Sequence, residues 1–278
     1  MVLEKFRAEY HKDVFEQLLS VDASGVPNNA DKHSSISVEL AKGIVEAIAL
    51  ETAGVKTSGQ TSGKEFEKLT AAFIEKSFQE LRHLRSGQFD FFIGKSIEAF
   101  EQYGHLATLA ETLKTNRELR TILGDYLVHP DIVIGRKPVY DEEINAQKQL
   151  LSETEHANLT PLRMKNSQKP ILHASISCKW TIRSDRSQNA RTEGLNLIRN
   201  RKGHTPHIVI VTAEPYPQRI ASIALGTGDI DCVYHFALRE LLYASEKLKN
   251  EAVMEMLTTL VEGKRLRDIA DLPFDLVA

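Results

Sequence analysis

Cysteine is nearly absent: the 278 residues include only Cys178 and Cys232, far apart and each inside an apolar, strand-like stretch. That excludes a disulfide framework and fits a reducing compartment. No Cys/His group has the spacing of a zinc site, since His204 and His207 merely flank Thr205-Pro206. No apolar run approaches the roughly 20 residues of a membrane span, and Met1-Val-Leu-Glu-Lys-Phe-Arg7 lacks the apolar core of a signal peptide. The expected location is the cytoplasm, away from any membrane. A basic excess is missing as well: 35 Lys and Arg against 38 Asp and Glu give a net charge of −3. Any surface for a polyanion must therefore be a local patch, balanced by acid elsewhere.

Intact nucleotide fingerprints are absent too. Thr61-Ser-Gly-Lys64 looks like the end of a phosphate-binding loop, but Ser58 stands where the first glycine belongs and Glu65 where Ser or Thr is required. Gly226-Thr-Gly228 lacks the third glycine of a dinucleotide fingerprint and precedes a strand instead of joining strand to helix. A small-molecule α/β enzyme is thereby left without a cofactor signature. Repeats and low-complexity segments do not occur.

What is present is a core-forming composition, 42% hydrophobic and 26% charged, enough for one large domain. The first third reads as helical. Val38 to Ala53 carries Leu40, Ile44 and Ile48 at helical spacing, and Ser62 with Glu65 resembles a capping box that opens a helix to about Arg85. Further helical stretches span Ile97 to Leu113 and Arg117 to Leu123. The pattern then changes to strands at Asp131–Ile134, Ile171–Ile182, His207–Thr212 and Asp231–Phe236, with a helix over Gln188–Arg201 and another to about Asn250. Gly135 to Asn166 is polar, irregular and expected at the surface. The expected fold class is α/β: a mixed sheet flanked by helices, in a single domain over 1–278 with a helix-rich part to about 125 and a core over about 126–250.

A set of chemically capable residues lies on those elements. Pro130-Asp131 enters a strand, Ser177-Cys-Lys179 ends the next one, and Glu193 follows on the helix beyond. Side chains two apart share a strand face, so Ser177 and Lys179 point the same way. Carboxylates that hold Mg²⁺ through oxygen, beside an ammonium, are what phosphodiester hydrolysis needs. Glu67, next to Phe66 on an apolar helix face, is a further carboxylate. Each residue alone also has a bland reading: Pro-Asp as a turn, Glu193 as a solvated helix residue, Glu67 as a partner of Lys64 or Lys68.

Lys179 to Lys202 then carries seven basic residues against two acidic ones, a strongly positive segment in an acidic chain. Within it, Arg183-Ser-Asp-Arg186 suits G·C pairs, because arginine donates twice to guanine and aspartate accepts from cytosine N4. A surface Arg/Asp network that caps the helix is the alternative, and a DNA-binding protein without cleavage is a second functional class.

The order Pro130-Asp131, Ser177-Cys-Lys179, Arg183-Ser-Asp-Arg186 and Glu193 resembles the CCGG-reading type II restriction endonucleases, most densely from about His173 to Leu238. Ser175-Ile-Ser-Cys-Lys-Trp-Thr-Ile-Arg-Ser-Asp-Arg186 and Ser222-Ile-Ala-Leu-Gly-Thr-Gly228 are the longest matching stretches. The resemblance implies a restriction-endonuclease-like fold and cleavage of double-stranded DNA at G/CCGGC, leaving 5′ overhangs. It implies catalysis by Asp131, Lys179, Glu193 and Glu67, with two Mg²⁺ ions per site held by Asp131, Cys178, Glu193 and Glu67. Ser177 stands where an acidic residue is usual, and Glu193 takes that role from the helix. Inner-base reading falls to Arg183, Ser184, Asp185 and Arg186. For the flanking pair the resemblance suggests Arg219, in a loop after a strand, with Gln60 in the minor groove and Asp31 assisting. Pro27, Asn28 and His33 depart from the pattern around Asp31. The family also implies a homotetramer, a dimer of dimers.

Overall fold

A computed structural model of the protein describes residues 1–52, 63–123, 127–152, 156–226 and 228–278, with the side chains at 50–52, 123 and 184–188 left undescribed. In chain order the elements are α1 (Val2–Gln17), α2 (Ser35–Thr52), α3 (Gly63–Glu80), β1 (Phe89–Ile93), α4 (Ala107–Thr115), α5 (Arg117–Leu123), β2 (Ile132–Arg136), α6 (Asp141–Ile144) and β3 (Ile171–Lys179). They continue with α7 (Ser184–Asn200), β4 (His207–Thr212), α8 (Pro217–Ala224), β5 (Cys232–His235), α9 (Leu238–Leu248), α10 (Glu251–Glu262), β6 (Leu266–Asp268) and α11 (Leu272–Val277). The six strands form one sheet in sequential order, β1 to β6. β1 and β2 are antiparallel, whereas β4, β5 and β6 run parallel, so the sheet is mixed and the fold is α/β, as expected.

The chain forms two compact units, one of Met1–Arg85, Ile176–Gly194 and Ile208–Ala278, the other of Ser86–Ser175 and Leu195–His207. In the first, Leu40, Ile44, Phe66, Ile74, Phe78, Ile210, Val211, Phe236 and Leu241 are buried, and α2 packs along α9 while α1 packs on α3. A salt-bridged knot ties α1 to the end of the sheet: Arg7 donates to both oxygens of Glu240 (2.9 and 2.7 Å) and both of Asp268 (2.8 and 2.8 Å). In the second unit, the Gln102 side chain bonds both backbone groups of Leu172, each at 2.8 Å, and the Tyr103 hydroxyl donates to the Leu197 carbonyl at 2.9 Å.

Several expectations change: the helix expected to about Arg85 ends at Glu80, and Ser62, expected to cap it, lies outside the described residues. The helix expected over Ile97–Leu113 begins as 3₁₀ turns at Ile97–Ala99 and Glu101–Leu106, because Phe100 is extended (φ −104°, ψ 153°) and interrupts the α-helical run until Ala107. The polar stretch before Asn166 is not all surface: Arg163 is 2% exposed and donates to Asp141 and to the His156 and Ala157 carbonyls, organising the loop around itself. The strand expected to run to Ile182 stops at Lys179.

Candidate active site

The last residues of β3 alternate in burial, with Ser177 and Lys179 half-buried and Cys178 buried between them. A strand's period of two therefore sets the Ser177 hydroxyl and the Lys179 ammonium on one face and turns the Cys178 thiol to the other. Glu193, two turns into α7, reaches that face: Ser177 Oγ donates to Glu193 Oε2 at 3.3 Å. What holds α7 there is a close helix-to-backbone approach. A Cβ on Gly194 would lie 2.5 Å from the Asp229 carbonyl oxygen, so only glycine lets the helix pack at this depth. Arg191 adds an ion pair to Asp229 at 2.9 Å and donates to the carbonyls of Ser222 and Ile223. The positive charge of Arg191 is thus used within the fold. The carbonyls of Ser222 and Ile223 thereby serve as docking points for α7.

α3 approaches the same region through aromatic packing. The Phe66 ring meets Trp180, the residue after Lys179, edge-on at 5.2 Å, and Glu67 is the next residue on α3. Lys68 pairs with Glu65, one turn ahead of it on α3, at 3.1 Å. Asp131 belongs to the other unit, immediately before β2, where its carbonyl accepts from Gly94 N–H at 2.9 Å. Among the described residues no group of three or more His, Cys, Asp or Glu side chains is arranged as a metal site. The donor chemistry does suit a hard divalent cation, which prefers carboxylate and carbonyl oxygen. With its thiol turned inward, Cys178 would offer a backbone carbonyl.

The segment that follows Lys179 borders a cavity of about 930 Å³ lined by residues including Asp31, His33, Trp180, Arg183, Gln218 and Arg219. Arg183 is exposed there. Ser184, Asp185 and Arg186 form the first turn of α7, but their side chains lie outside those described, and Gln60 lies outside the described residues altogether. Arg219 is not in a loop, as expected from sequence, but in α8, which starts with Pro217 at its first turn. Proline's fixed φ suits that position and its missing N–H costs nothing there. The Arg219 guanidinium donates a hydrogen bond to Asp31. Asp31 is held below the usual carboxylate range by the His33 N–H and by Arg219. Two buried polar atoms on the cavity residues, Trp180 Nε1 and Gln218 Oε1, have no partner among the described residues. Such groups are costly unless something polar meets them.

Sequence reasoning missed Glu214. It is fully buried after β4, and burial pushes its carboxyl up to about 7 despite the N–H groups of Ile182 and Tyr216. A lone acid at the end of a β-branched run, followed by Pro215, was the available signal. No helix among the described residues is long and apolar enough to cross a membrane.

Residues 10–278 match the family model described as the NgoMIV restriction enzyme. The chain is 48% identical over 277 residues to the type II restriction enzyme NgoMIV of Neisseria gonorrhoeae, covering 97% of this chain and 96% of that protein. Two solved structures are similar at 14% identity: a complex of restriction endonuclease PspGI with substrate DNA (99% of this chain, 90% of that one, TM-score 0.32) and type IIF restriction endonuclease Bse634I with cognate DNA (98% and 92%, TM-score 0.33). At those TM-scores the likeness adds nothing to the family assignment, which rests on sequence.

Proposed function

The chain belongs to the NgoMIV restriction-enzyme family, and from that premise we propose a type II restriction endonuclease that cuts both strands of DNA at G/CCGGC. The observation that carries the catalytic part is the Ser177–Glu193 hydrogen bond on the strand face that also bears Lys179. It supports Glu193 as the carboxylate that replaces the acid normally found on the strand. Asp131, Glu193 and Glu67, with the Cys178 carbonyl, would hold two Mg²⁺ ions. When bound, Mg²⁺ polarises the scissile phosphate and neutralises developing charge. Lys179 orients the attacking water and screens the phosphate. Water attacks phosphorus in line, the bond to the 3′ oxygen breaks, and the products are a 3′-hydroxyl and a 5′-phosphate on four-base overhangs.

Arg183, Ser184, Asp185 and Arg186 read the inner CCGG, with the arginines donating to guanine and the aspartate accepting from cytosine. Arg219 reads the outer guanine, with Asp31 beside it and Gln60 in the minor groove. The Arg219–Asp31 pair on a cavity wall supports this pairing of roles. By likeness to the family, the working assembly is a cytoplasmic homotetramer of two dimers, each holding one duplex.

Lys179→Ala separates chemistry from binding. Its cleavage rate should fall at least about a thousandfold while affinity for a GCCGGC duplex, measured with Ca²⁺ in place of Mg²⁺, changes by less than about tenfold. Equal loss of binding and cleavage would remove Lys179 from the catalytic role.

A further inference from the structure

Glu214 is fully buried, yet its polar groups bond its own flanking residues and two other segments of the first unit. Its carboxylate accepts from Ile182 N–H at 2.8 Å and from Tyr216 N–H at 3.1 Å. Its amide donates to Thr212 Oγ1 at 3.1 Å, and the Thr212 hydroxyl donates to the Lys179 carbonyl at 2.7 Å. Its carbonyl is bonded by His235 Nε2 at 3.2 Å. Because His235 Nδ1 accepts from Ala237 N–H, the ring proton sits on Nε2 and the bond runs toward Glu214. Arg219 Nη1 lies 3.9 Å from the Glu214 carboxylate.

These contacts converge on the reading surface. Ile182 immediately precedes Arg183, and Tyr216 is the N-cap of α8, which carries Arg219. An apolar residue would fill the same space without the cost of burying a carboxylate. It would leave two backbone N–H groups on separate segments unpaired and would not hold those segments at a fixed distance.

We propose that Glu214 is a positioning residue for sequence reading: one carboxylate sets the inner reader at Ile182–Arg183 and the outer reader, Arg219, in a single register. The inference rests on the GCCGGC reading above and deepens it. Inner and outer discrimination are then coupled, and disturbing Glu214 lowers both together.

Glu214→Gln is the direct test, since an amide offers one acceptor oxygen and turns its NH₂ toward the other N–H. The kcat/KM of the full chain is measured on duplexes containing GCCGGC, ACCGGT (outer pair changed) and GACGTC (inner pair changed). The variant should lose about tenfold or more of both discrimination ratios, whereas Arg219→Lys should lose only the outer ratio. Retention of both ratios within about twofold, or loss of one alone, overturns the proposal.

Should the variant fail to fold, wild-type protein supplies the second test through the same ratios between pH 6 and 8, where the pH dependence of the chemical step cancels. The groups facing Glu214 are Arg219, Asp31, held low, and His235, which burial keeps near 4 and therefore neutral over this range. Both ratios should rise together through about pH 7 as Glu214 ionises; flat ratios, or movement of one only, overturn the coupling. Wild type that ignores GCCGGC would instead remove the parent reading, which separates the two failures.

Discussion

Two arginines of the first unit each meet two carboxylates, and they are used in opposite ways. Arg7 spends its donors on Glu240 and Asp268 in four hydrogen bonds between 2.7 and 2.9 Å. Burial alone would lower the Arg7 pKa, but the two carboxylates outweigh it and raise it. Asp268, which burial alone would raise, is lowered by the same contacts. Arg219 donates one hydrogen bond, to Asp31, and approaches Glu214 only to 3.9 Å, while its side chain lines the cavity. Glu214 is accordingly pushed up, to about 7, by burial that its partners only partly offset. A saturated arginine holds a fold together; one with donors left toward a cavity can read a ligand.

Removing Arg7 should have the largest effect on stability. Arg7→Met leaves the buried Glu240 and the half-buried Asp268 without their cation and should cost about 3–5 kcal/mol in urea unfolding, without altering which sites are cut by the protein that remains folded. A loss under about 1 kcal/mol would place Arg7 in the same class as a surface ion pair.

The next effect is a pH dependence with an unusual sign for a carboxylate. The Glu214 pKa rises on folding, from the ordinary 4.5 to about 7. Its favourable contribution is therefore complete below about pH 4 and is lost as pH climbs toward 8. The loss is about 3 kcal/mol. Unfolding of wild type and Glu214→Gln compared across that range should show wild type losing ground steadily as pH rises. A difference that stays constant, or one that grows in favour of wild type, contradicts the assignment.

Arg219→Lys should be the mildest for the fold, below about 1 kcal/mol, because its partner Asp31 is partly solvated. Lysine cannot donate the paired bonds that guanine accepts, so discrimination at the outer base pair should fall by about 1–3 kcal/mol. An Arg219→Lys protein with unchanged selectivity would erase the contrast with Arg7.

Much of this was legible in the sequence for reasons that can be named. The β-branched run at His207–Thr212 coincides with β4, and Arg117–Leu123 with α5, because pattern and tertiary context agree there. Strand β1, Phe89–Ile93, escaped notice because Asp90 interrupts its apolar run and its residues are only partly buried. Strand β6 has three residues, too few for any period to show. Ser177 and Lys179 could be placed on one face from spacing alone, but the approach of Ser177 to Glu193 depends on Gly194 letting α7 close on Asp229, a tertiary fact. Arg191 counted as part of a basic segment in sequence and turned out to be a structural tie. Charge composition records how many cations a segment has and says nothing about which are already paired.

Cleavage position tests the account most directly. A plasmid with several GCCGGC sites is digested with wild-type protein and Mg²⁺, and the fragment termini are sequenced on both strands. The expected ends all fall between the first G and C, carry 5′-phosphates and leave CCGG overhangs. Intact plasmid across a range of salt concentrations, or termini mapping to a different sequence, would contradict it.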